Sequence, residues 1–259
     1  MTRPPSPPAS PVPLVFTDLD DTLFQTARKM AGAPDPALRA TEATNGHHSY
    51  MTRRQDALVG WLLSTTQAIP VTARSTEAMA RCRLPFADHR VCANGAVILL
   101  PDGTPDRAWA ARIDAACVAA AGTLEALLAE AGRLDAGAGR FRFWLVHEGG
   151  RAVYFCLKSN GEEAWIDAVE EPLRALAGEG FVPHRNGNNL SLTPSGISKR
   201  AAVAHLVARL DPAGSRPVLG LGDSLTDLPF LELCDLMALP AASQIASRIA
   251  SRLSPGTAS

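Results

Sequence analysis

The feature that most constrains this sequence is an apolar run that ends abruptly in carboxylates. Residues 14–17 are apolar apart from a terminal threonine, and Asp18, Asp20 and Asp21 follow directly. An apolar run of this length is typical of a strand buried in a parallel sheet. Crowded carboxylates repel one another and lose hydration on burial, so they predict a divalent cation or a nest of backbone amides beside them. The alternative interpretation is a solvated acidic turn in which Asp21 or Thr22 caps a helix.

Length and composition limit the class of protein. The 259 residues are 46% hydrophobic and 20% charged, which fits one large domain or a domain with an inserted module. A net charge of −1 gives no electrostatic reason to expect nucleic acid or an anionic membrane as partner, and no apolar run approaches the roughly 18 residues of a membrane helix. The five cysteines form no Cys-x-x-Cys pair, so we expect free thiols and a cytoplasmic location.

Polar residues also follow the strands predicted at 69–72, 90–93 and 216–221, or open the helix that precedes the last of them. The carboxyl ends of parallel strands converge on one crevice in a doubly wound sheet. We therefore expect the polar side chains to meet there. They are Thr72, Arg74, Asn94, Lys199, Asp223 and Asp227.

Between these strands the pattern changes to helix, two strands, helix and two strands. Such an order predicts an antiparallel module at 98–188, inserted into a core formed by 14–97 and 189–259. We expect the helix at 110–131 to break near Gly122, and Pro172 to kink or restart the next helix. The fold class predicted is therefore α/β, with a doubly wound, mostly parallel core and an inserted α+β cap domain.

Three segments lack a regular period. Residues 1–13, rich in proline and serine, are predicted to be a disordered lead, and the end of the chain from residue 254 looks similarly loose. The polar stretch 25–50 is predicted to be an irregular flap, of a length that tends to be functional or mobile. Its His47 and His48 match no recognisable spacing of metal ligands or acid/base groups in the sequence, which favours an inert role over metal binding or acid/base chemistry.

The carboxylates, the hydroxyl and the lysine have a shared chemical use if they meet. Two or three carboxylates make an oxygen-only site suited to Mg²⁺. A threonine hydroxyl and a lysine offer hydrogen bonds and positive charge to a phosphoryl group. One carboxylate can attack phosphorus, and a second can transfer a proton to the leaving oxygen. Taken singly, Thr72 and Lys199 could merely flank helices, and Asp223 and Asp227 could form an ordinary turn with a helix cap.

In chain order, residues 18–23, Thr72, Lys199 and residues 222–227 resemble the four motifs of the haloacid dehalogenase-like hydrolases. The resemblance extends over residues 14–253. Residues 94–96 and 193–199 are similar to the subgroup with a large inserted cap, which includes Cof-type, sucrose-phosphate and mannosyl-3-phosphoglycerate phosphatases. The resemblance implies Mg²⁺-dependent hydrolysis of a small phosphorylated metabolite, such as a sugar phosphate.

The same resemblance implies a role for each matching position. Asp18 would be the nucleophile and a Mg²⁺ ligand, and Asp20 the general acid and then base, with its backbone carbonyl also on the metal. Thr72 would bind the phosphoryl group, and Lys199 would neutralise the charge on its oxygens.

The last motif would complete the metal site. Asp223 would be the remaining protein ligand, and Asp227 would support the metal through water or orient Lys199. Arg74, which follows Thr72 at the crevice, is a further candidate for binding phosphate.

Two alternative functions remain open at this point. A phosphomannomutase-like phosphotransferase would return the phosphoryl group to a sugar, and a non-catalytic binding protein would keep only the fold. Cap residues that face the crevice should decide which substrate is bound. The basic residues of the cap could face the crevice or lie on the solvent face of the cap sheet, and the sequence leaves both open. The candidates are Arg140, Arg142, Lys158, His184 and Arg185.

Overall fold

The computed structural model describes residues 11–44 and 46–253. The strands are β1 (Leu14–Thr17), β2 (Gln25–Thr26), β3 (Arg39–Thr41), β4 (Ser49–Tyr50), β5 (Gln67–Pro70), β6 (Arg90–Cys92), β7 (Val97–Leu99), β8 (Phe141–Glu148), β9 (Arg151–Ser159), β10 (Phe181–Asn186), β11 (Asn189–Pro194), β12 (Val218–Leu221) and β13 (Leu236–Ala238). The helices are α1 (Arg53–Thr65), α2 (Thr76–Ala80), α3 (Arg107–Asp135), α4 (Ala164–Ala177), α5 (Lys199–Leu210), α6 (Leu228–Leu231) and α7 (Gln244–Leu253).

The first sheet is parallel, in the order β13-β12-β1-β5, and β1 is one of its two inner strands. In register, Phe16 pairs with Gly220 on one side and with Ile69 on the other. A parallel bridge between Val71 and Val91 extends the sheet towards β6. The predicted α/β fold with a mostly parallel core is confirmed, although β6 itself pairs antiparallel with β7 in a separate two-stranded sheet.

Both faces of β1 are covered, as its apolar sequence predicts. Side chains alternate across a strand, so Phe16 packs in one apolar cluster with Val203 of α5. Val15 faces the other way and packs in a second cluster with Leu62 of α1. Burial on both faces fixes β1 firmly and leaves its carboxyl end as the exit towards Asp18.

The second sheet is antiparallel, in the order β10-β11-β9-β8. One face packs on α3 and α4, where Phe155 and Leu157 meet Leu124 and Ile166. Strand β11 pairs with β9 and β10, whereas the predicted boundary at residue 188 assigned it to the core. Because it is hydrogen-bonded on both sides within the antiparallel sheet, β11 belongs to that sheet. The wider division into core and cap stays a prediction.

Helix α3 of this second unit is longer than the predicted 110–131, and each of its two helices is a single continuous element. Helix α3 runs without a break through Gly122, and α4 continues through Pro172. Buried side chains on either side of each position, such as Val169 and Leu173, hold the helices in place despite the weak formers. By length and composition alone α3 could cross a membrane. Its buried side packs on the antiparallel sheet, so that composition has an explanation within the fold.

The stretch 25–50 is more ordered than predicted. It contains a small antiparallel sheet in the order β2-β4-β3, with two short 3₁₀ turns between the first two of its strands in sequence. Strands of two or three residues are too short to produce a hydrophobic period, which is why the sequence indicated a loop. The predicted lead lies outside the described residues up to residue 10, and the loose segment from residue 254 lies wholly outside them.

Candidate active site

The backbone after β1 turns sharply and exposes consecutive carboxylates to one crevice. The amide of Asp18 donates to the carbonyl of Leu221 at 2.8 Å, which continues the pairing of β1 with β12 by one residue. Asp21 then adopts a left-handed conformation with φ of 61°. The amide of Leu23 returns to the carbonyl of Leu19 at 2.9 Å and closes the turn. The predicted acidic turn therefore begins where the buried strand ends.

Lys199 lies between two of the predicted site carboxylates. It is the first residue of α5, which Ser198 caps through a side-chain bond to the amide of Ala201. Its Nζ donates to Oδ1 of Asp18 at 2.6 Å and to Oδ1 of Asp227 at 2.8 Å. All three side chains are at most 10% exposed. The lysine thus joins residues far apart in the sequence in one buried ion-paired group.

Asp227 uses both of its carboxylate oxygens. While Oδ1 accepts from Lys199, Oδ2 accepts from the amide and hydroxyl of Ser224 at 3.0 and 2.8 Å and from the amide of Asp223 at 3.2 Å. This bonding closes the loop after β12. A Cβ on Gly222 would lie 2.7 Å from the Cβ of Asp227, so only glycine permits this close approach.

A second glycine fixes the start of α5. The short 3₁₀ turn Ala93–Gly95 packs against it, and Gly95 has φ of +97°. An added Cβ there would lie 2.3 Å from the carbonyl oxygen of Ser198. From the other side, the indole Nε1 of Trp109 in α3 donates to the carbonyl of Gly95 at 2.9 Å. The position of Lys199 therefore depends on a turn far from it in the sequence.

The group carries an excess of negative charge. Asp18, Asp223 and Asp227 each offer an oxygen within 4.8 Å of the others. If all three are ionised, three carboxylates and the one ammonium of Lys199 leave a net charge of −2. Burial raises the pKa of Asp18 well above its usual value even though Lys199 opposes the change. Burial and the charges of Asp227 and Asp21 raise the pKa of Asp223 to about 6.

Asp227 and Lys199 shift in the opposite sense, towards their charged forms. Burial alone would raise the pKa of Asp227, but the charge of Lys199 and the bonds from Ser224 outweigh it and lower that pKa. Burial would lower the pKa of Lys199, but Asp18 and Asp227 raise it. The ion pair between Lys199 and Asp227 therefore favours its charged form. The uncompensated negative charge falls on Asp18 and Asp223.

These residues fit a hard divalent cation. The set consists of carboxylate oxygens only, which suits Mg²⁺ better than softer metals. One such cation carries the two positive charges that the group lacks. It would also reverse the raised pKa values of Asp18 and Asp223, because a nearby positive charge favours the ionised carboxylate.

Asp20 lies apart from that group and is held by Arg74. The guanidinium donates twice, from Nε to Oδ2 and from Nη2 to Oδ1 of Asp20, both at 2.7 Å. It also stacks over the ring of Phe24 with 5.3 Å to the centroid. The side chain of Asp20 remains 46% exposed, so its carboxylate is accessible to solvent although both oxygens accept from Arg74. Arg74 is therefore at the predicted crevice, bound to a carboxylate; a role in binding phosphate stays a prediction.

Thr72 is buried at the turn that leads to Arg74. Its amide continues the sheet through the carbonyl of Val91, and its Oγ1 accepts from the amide of Arg74 at 3.1 Å. The bond between Arg74 and Asp20 brings this turn against the loop after β1. Thr72 and the carboxylates thus lie at neighbouring strand ends. Their predicted functional roles stay predictions.

Three contacts of the site were not predicted. Thr22 Oγ1 donates to Oδ1 of Asp223 at 3.3 Å. From the second sheet, the hydroxyl of Tyr154 donates to the carbonyl of Ala73 at 2.8 Å, and Glu148 accepts from the amide and hydroxyl of Thr76. Each contact joins segments that are distant in sequence, and the only signal for them is the position of polar side chains at strand ends.

The five basic cap candidates lie in three different surroundings. Arg140 lies beside the end of α3 and donates to the carbonyl of Leu134, and Arg185 pairs with Asp167 and Glu170 of α4. These two stabilise the helical side of the sheet. His184 lies near Lys199 and Asp227; burial and the charge of Lys199 lower its pKa. The remaining candidates, Arg142 and Lys158, are paired with each other in the register of β8 and β9.

Comparison with solved structures identifies the fold. The chain matches the sucrose-phosphatase of Synechocystis sp. PCC6803, solved with sucrose and phosphate, at 17% identity and a TM-score of 0.57 over 94% of this chain and 88% of that one. It matches the C-terminal domain of C. albicans trehalose-6-phosphate phosphatase at 14% identity and a TM-score of 0.54 over 86% and 74% of the two chains. A haloacid dehalogenase-like hydrolase from Bacteroides thetaiotaomicron matches at 12% identity and a TM-score of 0.51 over 93% and 99%.

No family model and no curated protein matches the sequence. At such low identities the structural likeness establishes the fold. The chain therefore has the haloacid dehalogenase-like fold, with β1, β12 and α5 around the acidic crevice.

Proposed function

We propose that this chain is a Mg²⁺-dependent phosphatase that hydrolyses a small phosphate monoester through an aspartyl-phosphate at Asp18. The observation that carries the proposal is the position of Lys199, whose ammonium lies 2.6 Å from Asp18 and 2.8 Å from Asp227 in a buried acidic group. A carboxylate, a cation and further carboxylates at one strand end meet the needs of phosphoryl transfer, which depends on positioning and neutralisation of charge.

The metal would be held by the side chains of Asp18 and Asp223 and the backbone carbonyl of Asp20. Asp227 would orient Lys199 and support the metal, because both of its oxygens are already held by Lys199 and by the loop after β12. When bound, Mg²⁺ supplies positive charge to the phosphoryl oxygens and neutralises the carboxylates.

In the first half-reaction a carboxylate oxygen of Asp18 forms a bond to phosphorus while the bond from phosphorus to the leaving oxygen breaks. Asp20 gives its proton to that oxygen, so the leaving group departs as an alcohol. In the second half, water attacks phosphorus and gives a proton to Asp20, and the bond between phosphorus and Asp18 breaks. Inorganic phosphate leaves and both aspartates return to their starting states.

Arg74 and Thr72 would set the geometry of these steps. Arg74 donates two hydrogen bonds to the Asp20 carboxylate, which would fix the position of this group beside the leaving oxygen and the attacking water. Thr72, buried at the turn before it, would donate a hydrogen bond to the transferred group. Contacts from Tyr154 and Glu148 to this turn would close the crevice under the second sheet and exclude bulk water.

A sugar phosphate is the substrate class that the structural neighbours favour. The neighbours reported above include a sucrose-phosphatase and a trehalose-6-phosphate phosphatase domain, each covered over at least 74% of its length. A cap sheet over the crevice would provide the space and the polar groups for a small leaving group. All five cysteines are free thiols, which accords with the cytoplasmic location expected from the sequence.

The proposal is tested with p-nitrophenyl phosphate. Wild type with Mg²⁺ should release nitrophenol, chelation should stop the reaction, and Asp18→Asn should be inactive. Asp56→Asn, at an exposed position of α1, is the matched control and should keep the wild-type activity. If Asp18→Asn hydrolyses p-nitrophenyl phosphate as fast as wild type, the assignment of Asp18 as the nucleophile is wrong. Product analysis on sugar phosphates separates the alternatives: free phosphate indicates a phosphatase, an isomeric sugar phosphate indicates a mutase, and binding without turnover indicates a non-catalytic protein.

A further inference from the structure

The antiparallel sheet turns one face to its helices and the other to the crevice. On β9, Phe155 and Leu157 pack on α3 and α4, whereas Tyr154 reaches the turn between Thr72 and Arg74 through its bond to Ala73. Side chains two residues apart share a face of a strand. Lys158 therefore lies on the same face as Tyr154, which we call the crevice face.

Two cations stand directly opposite each other on the crevice face. The register of β8 and β9 pairs Arg142 with Lys158, and the register of β9 and β11 places Asn189 on the other side of Lys158. Like charges in directly opposed positions destabilise a sheet. An ordinary solvent-facing sheet surface has no reason to keep such a pair.

The stretch 25–50 brings further positive charge to the same place. Burial together with the charges of Arg142, Arg28 and Lys29 lowers the pKa of Lys158, and no carboxylate contributes to that change. Lys29 is bound to Asp21, in the loop after β1. Among residues 11–44 and 46–253, no ion pair is formed by Arg28, Arg142 or Lys158. Three cations from three elements therefore converge without a counter-charge.

The position of this group suits the far end of a small substrate. Lys158 is four residues beyond Tyr154, which corresponds to about 14 Å along a strand. His184, Ser191, Cys156 and Trp144 are paired across the sheet in one row, which lies between Tyr154 and Lys158. His184 is at the end of this row that is near Lys199. The 42% exposed ring of Trp144 gives an apolar surface beside Arg142. A molecule with its phosphoryl group at Asp18 and its leaving group on the crevice face would extend towards these cations.

We propose that Lys158, Arg142 and Arg28 bind a second anionic group on the leaving group, so that the substrates are phosphate monoesters that also carry a carboxylate or a second phosphate. The inference rests on the proposed function, whose substrate class it narrows. Charge-assisted contacts from lysine and arginine suit either anion. A bound anion would also remove the repulsion between Arg142 and Lys158.

The test compares substrates that differ in one anionic group. In the carboxylate arm, 3-phosphoglycerate is compared with glycerol 3-phosphate, and in the phosphate arm, fructose 1,6-bisphosphate is compared with fructose 6-phosphate. We expect wild type to favour the doubly anionic member by at least about tenfold in kcat/KM in one arm, the worth of one charge-assisted bond at a partly exposed site. The arm that shows the preference identifies the anion.

Variants assign the preference to the cations. Lys158→Met and Arg142→Met should each reduce the ratio of the two kcat/KM values about tenfold. Arg133→Met, which removes an exposed cation of α3 paired with Glu130, is the matched control and should keep the wild-type ratio. Equal kcat/KM values of wild type for both members of each pair would overturn the inference. An unchanged ratio of kcat/KM values in both Lys158→Met and Arg142→Met would also overturn it.

A binding measurement separates this inference from the proposed function. Calorimetry with Asp18→Asn in the presence of Mg²⁺ should show tighter binding of the doubly anionic member of one pair, and the added Lys158→Met substitution should abolish the difference. If p-nitrophenyl phosphate is turned over but no such preference is found, the inference alone fails. If no ester is turned over, the proposed function fails, and the same calorimetric comparison still decides for or against the anion site.

Discussion

Replacement of Lys199 by methionine tests the electrostatic account of the site most severely. The variant Lys199→Met keeps an apolar side chain of similar length and removes the ammonium, whose nitrogen lies 5.9 Å from the centroid of the Phe230 ring. Two buried carboxylates then face each other across an apolar side chain. We expect both the catalytic activity and the stability of the metal-free protein to fall.

The magnitude follows from the two contacts. At 2.6 and 2.8 Å, each ion pair has a Coulomb energy of roughly 6 kcal/mol for an effective dielectric constant of about 20. Desolvation of the ions, several kcal/mol each, offsets most of this. Removal of one partner from a buried pair typically costs about 3–5 kcal/mol. We take the lower value of about 3 kcal/mol, because the raised pKa of Asp18 lets that group take up a proton instead.

The assay is thermal unfolding in EDTA at neutral pH. For a chain of this size, a loss of about 3 kcal/mol lowers Tm by roughly 6–12 °C. The matched control is Arg200→Met, the next residue of α5, whose exposed side chain pairs with Glu232 and should change stability by less than about 1 kcal/mol. Mg²⁺ should recover part of the loss in Lys199→Met. Equal Tm values for Lys199→Met and Arg200→Met would refute the reasoning.

Three further predictions follow from the same geometry. Gly95→Ala should lower the free energy of unfolding by at least about 2 kcal/mol, against about 1 kcal/mol for Gly103→Ala. Both glycines have positive φ, but only at Gly95 would the added Cβ meet a backbone atom. Chemical denaturation measures both losses, and equal losses would contradict the packing argument. The metal-free protein should lose stability as pH rises from about 4 to about 6, because the raised pKa of Asp223 lets the folded state bind more protons there. Correspondingly, the gain in Tm from Mg²⁺ should grow through about pH 6, and a gain independent of pH would argue against this carboxylate as a ligand. Lys158→Met should raise Tm by about 1–2 °C in the absence of substrate by removing repulsion, whereas a fall in Tm would mean that the cation is stabilised by its surroundings.

Much of the fold could be predicted because its determinants are local. The apolar run of β1 and the carboxylates after it are adjacent in the chain, and burial on both faces follows from the sequence alone. The loop between Asp223 and Asp227 is likewise closed by its own side chains. The order of these segments along the chain was enough to indicate the crevice.

What could not be predicted depends on contacts between distant segments. The grip of Arg74 on Asp20 and the approach of Gly95 to Ser198 join residues 54 and about 100 positions apart, for which a single sequence carries no signal. The small sheet within 25–50 escaped because strands of two or three residues have no period. The pairing of β11 with β9 and β10 could not be predicted, because a hairpin strand looks the same in sequence whichever sheet it joins.

The most direct test of the central claim is to trap the phosphoryl group on Asp18. Asp20→Asn should slow hydrolysis of the intermediate, because water then lacks its base. Acid quenching of this variant after addition of Mg²⁺ and p-nitrophenyl phosphate, followed by peptide mass spectrometry, should show one phosphoryl group on the peptide that contains Asp18. Release of phosphate by wild type with no phosphorylated Asp18 peptide in Asp20→Asn, and with full activity in Asp18→Asn, would contradict the account.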